Sequence, residues 1–262
     1  MTLEHRASER FPAASTMKVY VLQALLEAVQ RGELDLEEPR SLAAGDAVTG
    51  SGVLKLLTPG ISLSLHDLAA LMITVSDNTA TNMLIDVLGI EAISACVAAH
   101  GWSDTYLRGK LQQSKFIAGA KSSPSLTSPR DLADYFARLW LGELLPAELT
   151  VVAKSIYRQQ QFSELGRSLD YDGYSAEIGI SDMVIASKSG SIRGVRNDAG
   201  VFEISSQQGA TEEPAAGGGR ASEEYVIVVM TDGCPDRRFH PDNLGARVVG
   251  EAAAITLTAL RS

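Results

Sequence analysis

The spacing of apolar residues changes near Asp182 in this chain of 262 residues, and that change constrains the fold more than any other feature. Before about residue 159, apolar residues recur at the spacing of helices. After Asp182, three segments are rich in β-branched or aromatic residues, and a final segment returns to helical spacing. The strand segments are 183–187, 199–205 and 224–231, and the closing helix is 243–260. The sequence therefore predicts an α+β fold, in which a helical lobe accompanies an antiparallel sheet flanked by helices.

Local signals set the ends of these elements. The first helix spans residues 17 to about 31, and Gly32 stands where a helix commonly stops. Ser64-Leu65-His66-Asp67 resembles a capping box ahead of the apolar stretch 68–75. The polar, glycine-rich segment 206–222 predicts a mobile hairpin loop between the last two strands. Further helices are predicted at 79–88, 91–99, 129–141 and about 146–159.

Composition and charge exclude several classes of function. Hydrophobic residues make up 45% of the chain, which is enough to fill a core. The formal net charge of −9 argues against a nucleic-acid partner, because phosphate contacts need a basic face. The two cysteines, Cys96 and Cys234, lie far apart, and the four histidines show no close Cys/His spacing. We therefore expect no metal and no cofactor, and whether the cysteines pair stays open.

No apolar run approaches the roughly 20 residues that span a bilayer, and the N-terminus lacks the basic and apolar regions of a signal peptide. As it stands, the sequence predicts a cytoplasmic protein without a membrane span. If an upstream segment with an export signal is missing, the prediction becomes a periplasmic or secreted protein.

The motif Ser15-Thr16-Met17-Lys18 opens the first predicted helix and places a hydroxyl and an amine on one helical turn. A lysine amine that loses its proton when desolvated can serve as the base for a serine nucleophile. A single Ser-x-x-Lys pair arises readily by chance. Two further motifs follow, Ser76-Asp77-Asn78 after the second helix and Lys188-Ser189-Gly190 at the first strand, and the three together predict an acylation site.

With these motifs in this order, the chain resembles the class A β-lactamase family of penicillin-recognising serine hydrolases. The resemblance runs from Arg10-Phe11-Pro12 through the three motifs to the C-terminal helix. It implies a β-lactamase/transpeptidase-like fold and a single catalytic domain over residues 1–262. The helical lobe would comprise about residues 16–165, and the α/β lobe about residues 1–15 and 166–262.

The resemblance also implies the catalytic roles of four residues. Ser15 would attack a carbonyl carbon, and Lys18 would help to deprotonate the Ser15 hydroxyl. Ser76 would relay a proton to the leaving nitrogen. Lys188 would hold Ser76 and the substrate carboxylate in a positive field. The expected partner is a small molecule, a β-lactam or a related amide or ester.

Several further residues would bind that substrate. Asn78 would bind its side-chain amide, and Ser189 would hydrogen-bond its carboxylate. The backbone N–H groups of Ser15 and Ser191 would form the oxyanion hole, with Gly190 between the two substrate-binding serines of the strand.

Arg196 and Asp77 each allow two interpretations. Arg196 stands where many relatives keep a carboxylate-binding arginine, but it could equally pair with Asp198 or lie in solvent. Asp77 lies inside a motif, which suggests a general base, but we expect it to cap the following helix or to fix the loop.

One residue that the family needs is missing. Class A β-lactamases carry a glutamate in a loop after the second motif, and it activates the water that frees the acyl-enzyme. That position falls at Gln112, and no Asp or Glu occurs between Asp104 and Asp131. Gln112 can orient a water but cannot take its proton at neutral pH. We therefore expect acylation to survive and deacylation to be slow, unless Lys18 serves as the base in both steps.

The start of the chain also departs from the family. Only 14 residues precede Ser15, where the family places a helix and two strands. We expect a sheet of three strands with an exposed edge, unless the start has been assigned too late or another chain covers that edge.

The leading hypothesis is a serine hydrolase that opens β-lactam amides through an acyl-enzyme on Ser15. A D,D-peptidase, esterase or amidase with the same chemistry is the first alternative. A binding or sensing module that is acylated once without turnover is another, and a degenerate, inactive relative is the last. The oligomeric state stays open.

Overall fold

Helices dominate the first part of the chain. The computed structural model describes residues 1–111, 125–205 and 222–262. Eight α-helices occur within these ranges. They are α1 (Lys18–Gln30), α2 (Leu65–Thr74), α3 (Asn78–Leu88), α4 (Ile90–Ala99), α5 (Pro129–Trp140), α6 (Ala147–Arg158), α7 (Gly173–Glu177) and α8 (Leu244–Arg261).

Side-chain caps explain where several helices begin. Ser64 caps α2 in a capping box with Asp67, as the sequence predicts. Ser128 caps α5 and is followed by a proline at the first helical position, and Asn243 caps α8. The predicted helices are confirmed to within two residues at most ends, whereas the sequence analysis did not predict the short helix α7.

Eight strands accompany the helices in the described ranges. They are β1 (Phe11–Pro12), β2 (Pro39–Ser41), β3 (Ser62–Ser64), β4 (Tyr106–Leu107), β5 (Ser125–Thr127), β6 (Met183–Ile192), β7 (Val195–Ser205) and β8 (Ser222–Met230). The last three form an antiparallel sheet in the order β6-β7-β8, which confirms the predicted sheet. The predicted loop 206–222 lies almost wholly outside the described residues.

The strands β6 and β7 extend further than their apolar segments predict. They meet in a two-residue turn that contains Gly194, whose φ of +80° suits a glycine. The register pairs Ser189 with Asp198 and Gly190 with Asn197. The third sequence motif, Lys188-Ser189-Gly190, therefore lies on the edge strand β6, opposite Asn197, Asp198 and Ala199 of β7.

Two small sheets complete the fold, in the orders β1-β5-β4 and β2-β3. Their strands are only two or three residues long, so they carry no periodicity that a sequence pattern could reveal. The β1-β5 pairing matters for the site because it holds the segment that leads into Ser15.

The helix α1 is the most deeply buried of the described helices. Ten of its 13 residues are buried, and it packs against α2, α3, α4 and α6. A second apolar cluster lies between the β6-β7-β8 sheet and α8, and includes Ile185, Phe202 and Val249. Close packing on all sides of α1 fixes the position of its N-terminus, which carries Lys18.

Among the described residues, no single helix has the length and apolar character needed to cross a membrane. Only α3 and α4 taken together meet the criteria of length and composition, and they are bent by 83° relative to each other.

Candidate active site

Ser15 lies in a 3₁₀ turn, Ala14–Met17, that leads directly into α1. The Thr16 hydroxyl closes this turn by donating to the Ala13 carbonyl at 2.6 Å. Ala14 has a φ of +47°, a conformation that costs a residue with a Cβ about 1 kcal/mol. The Ser15 hydroxyl is half-buried and forms no hydrogen bond with any described residue. Within the described part of the chain, no contact competes for its proton.

Lys18 is fully buried one turn after Ser15. Its Nζ contacts the carbonyl oxygen of Ser76 at 2.7 Å, the Ser76 Oγ at 3.0 Å and the Asn78 Oδ1 at 3.0 Å. The structure thus brings the first two sequence motifs together around one amine. A direct Lys18–Ser15 hydrogen bond, which the helical spacing suggests, is absent from the described residues.

The surroundings of Lys18 favour its neutral form. Burial holds the pKa of the Lys18 amine well below its usual range, and the positive charge of Lys188 lowers it further, while Asp77 acts in the opposite direction. A neutral amine has two N–H donors and one lone pair. In the structure the Nζ donates to the Ser76 carbonyl, the Ser76 Oγ and the Asn78 Oδ1, and loss of one proton would leave a lone pair that can accept another. This arrangement can carry a proton between Lys18 and Ser76.

Ser76 occupies a strained position between α2 and α3. Its φ is +55°, in the left-handed region that few non-glycine residues adopt. The Ser51 hydroxyl donates to the Ser76 carbonyl at 2.7 Å and helps to hold this conformation. The sequence analysis did not identify Ser51, because Gly50-Ser51-Gly52 carries no periodicity and no known motif.

Asp77 is a structural residue, as expected from the sequence. One carboxylate oxygen caps α3 by accepting from the Ala80 N–H at 3.0 Å. The other accepts from the N–H groups of Val53 and Leu54 at 2.6 and 2.7 Å. A Cβ at Gly52 would lie 2.2 to 2.4 Å from Asp77 atoms, so only glycine allows this close approach.

Asn78 ties the same loop to the site. Its Nδ2 donates to the Thr49 carbonyl at 3.0 Å while its Oδ1 accepts from Lys18. The second N–H of the same amide has no partner among these bonds. Asn78 can therefore offer one donor to a ligand without giving up its structural contacts.

Gly190 lets β6 approach the turn that carries Ser15. A Cβ on Gly190 would lie 2.9 Å from the Thr16 nitrogen and 3.0 Å from both the Ser15 nitrogen and the Ala13 oxygen. Asn197, opposite Gly190 on β7, donates from its Nδ2 to the Pro12 carbonyl at 2.8 Å. The edge strand is thus held beside the backbone N–H of Ser15. The predicted oxyanion hole needs this proximity, and the hole itself stays a prediction.

Lys188 is fully buried, and its Nζ donates to the Ser189 carbonyl at 2.8 Å. No hydrogen bond joins it to Ser76 in the described part of the chain. Burial lowers the pKa of Lys188, while the negative charge of Asp198 raises it. Asp198 in turn accepts from the N–H groups of Glu164 and Leu165 at 2.6 and 3.2 Å. The sequence analysis considered Asp198 only as a partner of Arg196, yet its charge acts on Lys188.

Arg196 neither pairs with Asp198 nor lies in solvent, so the second of its two interpretations is wrong. It is only 3% exposed, and no ion pair joins it to Asp198 among the described residues. Its guanidinium instead donates to the carbonyls of Ile192, Val195 and Arg238 at 2.8, 2.7 and 2.5 Å. Its role in binding a substrate carboxylate stays a prediction.

Gln112 lies outside the described residues, so its predicted water-orienting role stays a prediction. The described chain stops at Leu111, which Asn82 of α3 holds by two hydrogen bonds. Asn82 Nδ2 donates to the Leu111 carbonyl at 3.0 Å, and the Leu111 N–H donates to Asn82 Oδ1 at 2.8 Å.

Comparisons with known proteins identify related sequences and structures. A model of the Beta-lactamase enzyme family matches residues 2–211. Beta-lactamase SME-1 of Serratia marcescens is 29% identical over 160 residues, which cover 60% of this chain and 52% of that protein. The chain spans about half the length of the curated relatives that it matches first.

Two solved structures cover nearly the whole chain. A beta-lactamase from Sphaerobacter thermophilus has 30% identity and a TM-score of 0.78, and covers 99% of this chain and 88% of its own. A PBP-A mutant in an acyl-enzyme complex with penicillin G has 26% identity and a TM-score of 0.78, with coverages of 99% and 85%.

Proposed function

The chain belongs to the beta-lactamase enzyme family, and from that premise we propose that it is a serine hydrolase that opens β-lactam amides through an acyl-enzyme on Ser15. The observation that carries the proposal is the buried Lys18 amine, which follows the free Ser15 hydroxyl by one turn and is bonded to Ser76 and Asn78. A desolvated amine with a lowered pKa is a suitable base for a serine nucleophile.

Acylation follows from the roles of these groups. The Ser15 oxygen attacks the lactam carbonyl carbon while the Ser15 proton moves to neutral Lys18. The carbonyl electrons return from the tetrahedral intermediate, and the C–N bond breaks. Ser76, 3.0 Å from the Lys18 amine, delivers a proton to the leaving nitrogen and recovers one from Lys18. The backbone N–H groups of Ser15 and Ser191 stabilise the oxyanion.

Binding of the substrate uses the side of the site formed by β6 and α3. The free N–H of the Asn78 amide donates to the substrate's side-chain carbonyl. Lys188 and Ser189, with Arg196 on β7, supply positive charge and a hydroxyl donor for the substrate carboxylate. We assign these residues to one catalytic domain over 1–262, with a helical lobe at about 16–165 and an α/β lobe at about 1–15 and 166–262.

Deacylation is the slow step in this proposal. Between Asp104 and Asp131 the sequence offers no carboxylate that could deprotonate a water, and Gln112 provides only an amide. Lys18 remains as the base for hydrolysis of the ester. Because Lys18 also serves acylation, we expect a long-lived acyl-enzyme with slow turnover.

Similarity to a PBP-A mutant captured as an acyl-enzyme with penicillin G favours a second candidate function. In it, the same Ser15 chemistry serves a D,D-peptidase, esterase or amidase, or a module that is acylated once. Nitrocefin, p-nitrophenyl esters and D-Ala-D-Ala peptides separate these functions, because an enzyme will turn over the acyl donor that fits its site, whereas a module acylated once will give a stoichiometric burst without turnover.

A substrate screen with matched variants tests the proposal. We expect wild type and Ser155→Ala, which removes an exposed hydroxyl of α6, to hydrolyse nitrocefin slowly after a stoichiometric burst. We expect Ser15→Ala to show neither burst nor turnover. Activity that persists in Ser15→Ala would contradict the assignment of the nucleophile, and rapid turnover by wild type would contradict slow deacylation.

A further inference from the structure

A second cluster of reactive side chains lies far along α1 from Lys18. Glu27 of α1, Cys96 of α4 and His100, which ends α4, each offer one ligand atom, and these atoms all lie within 4.8 Å of one another. Cys96 and His100 stand four positions apart, so the helix brings them onto one face. None of the three belongs to the site described above.

We propose that Glu27, Cys96 and His100 bind a zinc ion that joins α1 to α4. Thiolate sulfur, imidazole nitrogen and carboxylate oxygen are the three ligand types that Zn²⁺ accepts in proteins, usually in a tetrahedron. The thiolate and imidazole disfavour Ca²⁺ and Mg²⁺, which prefer oxygen ligands. The fourth position is left for a water molecule.

A cavity beside the cluster provides the entry path and the space for that water. It has a volume of about 520 Å³, and Glu27 and Cys96 line it together with small residues such as Ala24, Ala28 and Ala92. A metal site needs such access from solvent if the ion binds after folding.

The side chain that donates to Glu27 also carries a buried acceptor. The Gln23 side chain is fully buried, and its Nε2 donates to the Glu27 Oε1 at 3.0 Å. Its Oε1, at the other end of the same amide, has no hydrogen-bond partner among the described residues. Buried acceptors of this kind are rarely left unpaired in native proteins. A zinc-bound water is a donor that can satisfy Gln23 Oε1.

The neighbours of the ligands set their orientation. The His100 Nε2 is hydrogen-bonded directly to the Glu27 Oε1 at 2.5 Å, and a bound ion would take the place of this bond. The imidazole ring stacks on Trp102 with centroids 4.6 Å apart, which restricts its rotation. Ordered neighbours of this kind raise metal affinity because the ligands need little rearrangement.

Two arginines flank the cluster, and other carboxylates balance their charges. Arg31 lies 3.7 Å from Glu27 but forms closer contacts with Glu33, at 2.8 and 2.9 Å. Arg138, 3.3 Å from the His100 Nδ1, also pairs with Asp134 at 3.2 Å. The two positive charges of Zn²⁺ are then matched by the Glu27 carboxylate and the Cys96 thiolate.

Zinc binding releases one proton to solvent and moves a second proton within the His100 ring. The sulfur–zinc bond replaces the S–H bond of Cys96, and that proton leaves to solvent. The nitrogen–zinc bond forms at Nε2 of His100, whose proton moves to Nδ1, and the 3.3 Å contact with Arg138 is given up. No oxidant or reductant is needed.

The sequence analysis expected no metal because it found no close Cys/His spacing. That expectation overlooked Cys96 and His100, which lie one helical turn apart, and it could not foresee that α1 would bring Glu27 beside them.

Cobalt(II) is the probe that tests the proposal on the full chain. After dialysis against EDTA, one equivalent of Co²⁺ should give tetrahedral d–d bands and a near-ultraviolet thiolate-to-cobalt charge-transfer band. We expect Cys96→Ser to lose the charge-transfer band, and His100→Gln to bind Co²⁺ at least about tenfold more weakly. Added Zn²⁺ should displace Co²⁺ and raise the melting temperature of wild type but not that of Cys96→Ser.

Cys234→Ser is the matched control, because Cys234 is the other free thiol and follows β8 in a loop. It should retain both bands and the response to Zn²⁺, and so should Ser15→Ala, so failure of this proposal says nothing about the catalytic one. A wild-type protein without the charge-transfer band contradicts the site. A band that survives in Cys96→Ser and disappears in Cys234→Ser contradicts it equally. Circular dichroism of each variant shows whether it is folded. If Cys96→Ser does not fold, the weaker Co²⁺ binding expected of His100→Gln is the test of the site.

Discussion

Replacing Asp77 by Asn is predicted to destabilise the protein although the change is isosteric. Asp77 is 1% exposed, and its two oxygens accept from three backbone N–H groups, those of Val53, Leu54 and Ala80. An amide has only one oxygen. In either orientation, at least one of these N–H groups loses its acceptor and faces the amide NH₂ instead.

The hydrogen bonds that are lost or weakened set the size of the decrease in the free energy of unfolding. The orientation that keeps the bonds to Val53 and Leu54 loses the cap on α3, at about 1 kcal/mol. The two remaining bonds lose their charge assistance, at about 1 kcal/mol each. The free energy of unfolding should therefore fall by about 3 kcal/mol, a large part of the total of about 5 to 15 kcal/mol that proteins of this kind possess.

Urea denaturation followed by circular dichroism measures this change. The control is Asp35→Asn, because Asp35 is exposed and, among the described residues, its carboxylate accepts only from the Glu37 N–H, at 3.0 Å. That variant should lie within about 0.5 kcal/mol of wild type. An Asp77→Asn variant that loses less than about 1 kcal/mol would refute the argument that Asp77 anchors the loop and the helix together.

Three further predictions concern the site. Gly190→Ala should slow acylation at least about tenfold, because its Cβ would lie 2.9 Å from the Thr16 nitrogen and push β6 away from the turn; stopped-flow acylation rates measure the effect. The acylation rate should rise with pH and level off well below the ordinary pKa of lysine, because burial and Lys188 lower the pKa of Lys18 and only its neutral form accepts a proton; a rate that still climbs at pH 10 would contradict this. Gln112→Glu should shorten the life of the acyl-enzyme, measured by the decay of its mass, because it supplies the missing carboxylate; an unchanged life would show that this position does not face the ester.

The helices and the main sheet could be predicted because their signals are local. Apolar spacing gave α1 and α8, and the capping box at Ser64 gave the start of α2. The strands β6 and β7 were predicted too short. In β6 the reason is that Lys188-Ser189-Gly190-Ser191 is polar although it belongs to the strand. The small strands have no periodicity to detect.

The motif residues of the site could be predicted from the family resemblance, but their supports could not. Ser51 contacts Ser76 across 25 positions of sequence, and Asn197 contacts Pro12 across 185 positions. No local sequence pattern predicts such distant contacts. The effect of Asp198 on Lys188 can be recognised only when the register of β6 and β7 is known. The Glu27, Cys96 and His100 cluster likewise depends on how α1 packs against α4.

Mapping the penicillin G adduct by tandem mass spectrometry tests whether Ser15 is the nucleophile and whether its ester is long-lived. The protein is mixed with penicillin G, quenched in acid at intervals, digested and sequenced. We expect one adduct per chain, on Ser15, that persists long after free penicillin is removed. An adduct on another residue, or neither adduct nor hydrolysis at any time, would contradict it.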